Sequence, residues 1–145
     1  MFLKILKNDL FWVTLFSGFF AQTLKFVIYW IKERKPNLEW LFTTGGMPSS
    51  HSASVMCLST MVGIRKGFDS LIFGVTLYFS LIIMYDAAGL RRAAGEQARI
   101  INTLIKEFGE GKGIENKKLK ELLGHTPIEV LTGATLGIII GVIFA

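Results

Sequence analysis

A chain of 145 residues has room for one domain, and its 51% hydrophobic content and mean hydropathy of +0.48 exceed what a soluble globular domain carries. The formal charge of +5 and pI near 9.5 raise the question of nucleic acid, but the basic residues lie in loops between apolar segments, without an aromatic platform or a basic helix. Anionic lipid or phosphate is the expected partner, and nucleic acid is not. A single cysteine, Cys57, excludes a disulfide framework and any CxxC motif, so a packing role is expected for it.

The first apolar run, Leu10 to Ile31, would rise about 33 Å as a helix, enough to cross a hydrocarbon core of roughly 30 Å. Lys4 and Lys7 ahead of it resemble the start of a signal peptide. No small-x-small cleavage site follows and the run outlasts an h-region, so a retained transmembrane helix is expected. Lys25 interrupts this run at a cost of roughly 2.5 to 3.5 kcal/mol on insertion scales. It either faces a partner or site, or snorkels to the nearby loop. Arg34 lies beyond it, where a charge facing solvent or headgroups is the default.

The segment Gly45-Gly46-Met47-Pro48-Ser49-Ser50-His51-Ser52-Ala53 opens a second stretch running to Arg65 and Lys66, too short for a comfortable span unless protein surrounds one end. Proline suits a first helical turn, and Ser49 and Ser50 can cap the helix or hydrogen-bond phosphate. A helix N-terminus gathers anions, and an imidazole there can attack phosphorus or protonate a leaving group. The plain alternative is a helix cap with an incidental histidine.

A third run, Leu71 to Ala88, is long enough to cross, with Asp69 and Ser70 as cap residues. It ends in Asp86-Ala87-Ala88-Gly89-Leu90-Arg91-Arg92, where paired arginines could clamp a lipid phosphate or simply attract anionic headgroups. Ala94, Ala98, Ile101, Ile105 and Phe108 recur at helical spacing, predicting an amphipathic helix beneath or beside the membrane. Gly109, Gly111 and Gly113 mark a turn, and Asn116 to Leu123 reads as a short basic helix.

The last run, Ile128 to Ala145, follows Gly124-His125-Thr126-Pro127 and carries Gly133, Gly137 and Gly141 at spacing four, a stripe suited to close packing against another membrane helix and compatible with a homodimer. His125 and Glu129 are four apart, so the carboxylate can hold the imidazole and fix its tautomer. The alternative is an interfacial histidine capping the helix. With two histidines and no HExxH or cysteine spacing, neither a metal nor another cofactor is expected. Four crossings bring the loops bearing His51 and His125 to one membrane face.

Gly45 to Ala53, Asp86 to Gln97 and Gly124 to Glu129 together resemble the type 2 phosphatidic acid phosphatase and vanadium haloperoxidase superfamily, most closely its small divergent, YuiD-like branch. The likeness covers most of the chain from Lys25 onward. It implies His125 as the nucleophile forming a phosphohistidine, Glu129 in place of the orienting aspartate, and His51 as the general acid. It also implies Ser49 as a phosphate ligand, while Ser50 stands where the superfamily has glycine, a departure that narrows the pocket. Lys25 and Arg34 resemble the first motif at longer spacing, with Lys35 before Pro36. The arginine expected shortly before the last histidine is absent, Leu119 standing between Lys118 and Lys120; Arg91 or Arg92 is the implied substitute.

The expectation is one membrane-embedded phosphatase-like domain over residues 1–145, an all-α, multi-pass bundle of the cell membrane. It has about four transmembrane segments and one or two amphipathic helices. Its expected activity is metal-independent hydrolysis of a lipid phosphate or isoprenyl diphosphate. A non-catalytic carrier or scaffold that binds anionic lipid is the alternative.

Overall fold

A computed structural model describes residues 6–36, 38, 45–109 and 124–145, and for 90–92 and 106–109 the backbone alone. The proposed glycine turn beyond Gly109 and the short basic helix at 116–123 lie outside the described residues. Those residues form five helices and no strand: α1 (Asp9–Glu33), α2 (Ser50–Lys66), α3 (Leu71–Ala88), α4 (Leu90–Gly109) and α5 (Pro127–Phe144). The fold is an all-α membrane bundle.

Local chemistry sets the helix boundaries. Asn8, Ser49, Ser70 and Thr126 each accept a backbone N–H from the first turn that follows, satisfying donors a helix start leaves unpaired. Thr126 and Glu129 form a reciprocal capping box, with Pro127 at the first helical position. Pro48 differs from expectation: the cap is Ser49, so the proline precedes α2 instead of occupying its first turn.

Three stretches have the length and hydropathy of a membrane span: α1, α3 as it continues into α4, and α5. The shorter α2 is the helix the others pack around, α5 most closely, then α1 and α3. This explains its composition. A helix wrapped in protein gains from small residues that admit close neighbours, and Ser52, Ala53, Cys57, Ser59 and Gly63 are all buried. Around it, the outer faces of α3 and α5 stay exposed and apolar, as surfaces meant for lipid are.

The glycine stripe of α5 closes on α2 of the same chain. A Cβ at Gly133 would run into the Ser49 backbone, one at Gly137 into the Ala53 carbonyl, and one at Gly141 would lie 2.8 Å from Thr60 Cβ. Hydroxyls tie the other seams: Ser17 donates to the Ala53 carbonyl at 3.1 Å, and Ser59 and Ser80 pair at 2.8 Å. Cys57 is buried with Met61 and Ile140, as a packing residue. At the end of the bundle away from the histidines, Arg65 bridges Asp9 at 2.8 Å and donates to the Phe144 carbonyl at 3.1 Å, joining α1, α2 and α5.

The amphipathic helix read from residues 94–108 is α4, which packs against α3.

Candidate active site

The C-terminal ends of α1 and α3 and the N-terminal ends of α2 and α5 meet at one end of the bundle. Backbone hydrogen bonds fasten them: Ser49 N–H donates to the Glu129 carbonyl at 3.0 Å, and His125 N–H donates to the Ala87 carbonyl at 3.0 Å. The two histidine segments, 74 residues apart in sequence, are thus neighbours.

His125 is 3% exposed. Its Nδ1 lies 3.3 Å from Glu129 Oε2, and the same oxygen accepts the Thr126 N–H at 3.0 Å. The capping box that starts α5 therefore also holds the carboxylate against the imidazole. Nδ1 is committed to Glu129, and Nε2 is left for chemistry. Burial and the charge of Lys25 push the His125 pKa below the usual histidine range, with Glu129 offsetting part of the effect and His51 adding to it. The imidazole is neutral at neutral pH, the form that can act as a nucleophile.

Lys25 is 1% exposed and does not snorkel. Ser17, Ala21 and Lys25 form the buried stripe of α1, and the ammonium acts electrostatically on both Glu129 and His125. Gly46, at φ +83°, folds the incoming loop over this lysine: a Cβ there would stand 3.1 Å from the Tyr29 hydroxyl and 3.3 Å from Lys25 Cδ. Only glycine combines that backbone conformation with so close an approach.

His51 is exposed on the first turn of α2 and within electrostatic range of His125. Ser49 is buried and its hydroxyl caps the helix, accepting from Ser52 N–H at 3.4 Å and from Ser52 Oγ at 3.0 Å. Half-buried Ser50 lines a groove beside His51. Arg34 ends α1 in a left-handed conformation at φ 55° and is exposed, outside the buried cluster. The side chains of Arg91 and Arg92 lie outside the described residues. Their backbone opens α4 a few residues past Ala87, whose carbonyl receives His125.

Tyr29 joins this end of the molecule without having been expected there. The available signal was its spacing of four from Lys25, which puts both on one helical face. Among the described residues, no group of three or more His, Cys, Asp and Glu side chains is gathered as a metal site requires.

The arrangement is one of a buried, carboxylate-held imidazole, a buried ammonium and a second, accessible imidazole converging at two helix N-termini. Residues 6–140 match the model of a family described as the Divergent PAP2 family. The chain is also 44% identical over 154 residues to a Bacillus subtilis (strain 168) protein named "Uncharacterized membrane protein YuiD", covering 99% of this chain and 98% of that protein. No solved structure matches. On the extent of both likenesses, this membrane protein belongs to the Divergent PAP2 family.

Proposed function

We propose that the chain is a metal-independent phosphatase of the cell membrane that hydrolyses a lipid phosphate or isoprenyl diphosphate through a phosphohistidine. The observation carrying this reading is the cluster of buried His125 and Lys25 with half-buried Glu129, because burying a lysine beside a histidine is costly and is kept where charge is used. Family membership supports the same reaction class.

His125 Nε2 attacks phosphorus while the bond from phosphorus to the lipid-side oxygen breaks, and His51 gives its proton to that oxygen. Lys25, with Arg91 or Arg92, stabilises the charge on the phosphoryl oxygens. Ser50 and the α2 N-terminus contribute hydrogen bonds, and Arg34 serves headgroup contact. A water molecule then attacks phosphorus, passes a proton to His51, and the P–N bond breaks, releasing phosphate and restoring His125.

The test is a phosphate-release panel over phosphatidate, phosphatidylglycerophosphate and prenyl diphosphates, with chelator present and His125→Ala alongside. Chelator-resistant release lost in the variant is expected. Equal release from both proteins, or none from any substrate, defeats the mechanism. Tight lipid-phosphate binding without turnover would favour the carrier reading, which the missing third-motif arginine and the glutamate in place of aspartate suggest.

A further inference from the structure

Although α2 is the central helix, its coverage has a gap. His51 is exposed and Ser54, Val55 and Leu58 are half-buried, and these positions follow the i, i+3, i+4, i+7 spacing of a single helical face. In front of this stripe runs an open groove of about 350 Å³ with α1 on one side and Ile83 of α3 on the other. Its lining changes along its length. Gln22, Ser50 and His51 form the end nearest the buried cluster, whereas Leu15, Phe19 and Val55 carry it away along the helices. Leu15 to Gln22 spans two helical turns, about 10 Å.

An amphiphile has that same sequence of properties, a polar head continuous with an apolar body. We propose that this groove receives the hydrocarbon tail of a lipid phosphate bearing a single chain, which enters sideways from the bilayer with its phosphate at His51. The proposal rests on the phosphatase reading only for the position of the phosphate. The occupant follows from the lining: a water-soluble phosphate ester would gain nothing from Leu15, Phe19 and Val55, and a peptide would leave its backbone groups unpaired among them. The volume stands at the low end for small-molecule pockets, enough for the proximal part of one chain beside the head, so a second chain would have to lie outside the groove. Because the groove is open, the distal part of a longer tail continues among membrane lipids. Selection acts on the thickness of the chain near its head.

The experiment uses the full chain in nanodiscs and a non-hydrolysable single-chain alkyl phosphonate carrying a diazirine midway along the part of its chain that the groove would hold, with adducts mapped by mass spectrometry. Adducts concentrated at Leu15, Phe19 and Val55 are expected, and a single-chain alkyl phosphate should compete at least about tenfold better than diacyl phosphatidate. Labelling spread over the lipid-facing side of α3 at Ile72, Val75 and Phe79, or equal competition by the two lipids, would overturn the proposal. Val55→Trp, which fills the groove, should reduce labelling by about tenfold or more, whereas Leu131→Trp on the exposed face of α5 should not. Unchanged labelling in Val55→Trp would also overturn it. Phosphate release from hydrolysable lipids by the same preparation separates the two ideas. Release without groove adducts sinks the groove and spares the phosphatase, and groove adducts without release do the reverse.

Discussion

The two ends of the bundle use the same chemical groups in opposite ways. At one end Arg65 reaches Asp9 and the Phe144 carbonyl on an accessible surface, a tie that holds α1, α2 and α5 together and is screened by its surroundings. At the other end Lys25 and His125 are buried and interact with half-buried Glu129, where water does little to relieve a mismatch of charge. Helices can be joined by the first arrangement at little expense. The second is costly, and a bundle needing only stability would have apolar residues there. The contrast is a ground for proposing that function lies at the histidine end.

The sharpest way to break this contrast is His125→Ala, for which phosphate release should fall by about a thousandfold or more while the far end of the bundle is unaffected. Next comes Gly137→Leu, which drives a side chain into the Ala53 carbonyl. It should destabilise the bundle by roughly 1 to 3 kcal/mol or more, read as a lower thermal midpoint in detergent. Acidification is a milder probe of the histidine end. A buried imidazole whose pKa is depressed binds its proton more readily in the unfolded chain. Its contribution to stability is therefore whole above the ordinary histidine pKa of about 6.5 and drains away as pH falls below that value. Thermal midpoints should decline across that window, and His125→Gln should flatten the decline. Lys25→Met should make the decline smaller and end it at a higher pH, since the ammonium is one of the groups holding His125 neutral; an unmoved profile would mean that Lys25 does not act on His125. The smallest effect belongs to Arg65→Gln, expected to shift the midpoint barely and leave release unchanged. A large loss of release would erase the distinction between the ends.

Much of the site could be read from spacing. The spacing of four from His125 to Glu129 implied their pairing, and an even number of crossings implied that His51 would lie at the same end. The bounds of α3 follow directly from the apolar run after Ser70. Other features are tertiary and leave weaker traces. Lys25 allowed two readings because a linear pattern does not say whether a lysine points to a loop or to a neighbouring helix, and its burial beside the Gly46 loop decided it. The stripe at Gly133, Gly137 and Gly141 announced close packing without naming its partner, which is α2. The centrality of α2 was concealed by its serines, because hydropathy measures fitness for lipid and this helix contacts mainly protein. Tyr29 was missed because a tyrosine near the end of a membrane helix is ordinarily an interfacial anchor.

The seam between α2 and α5 has a consequence for how the protein is made. A 17-residue helix with serines along its length has little tendency to enter a bilayer alone. Sixty residues, 67–126, separate it from its principal partner, α5. In chain order α2 has α1 and α3 as partners before α5, whose glycines close on Ser49 and Ala53. The same helix start brings His125 and Glu129 to Lys25. A chain interrupted before α5 would therefore lack both the principal packing partner of α2 and the cluster of His125 and Glu129 with Lys25.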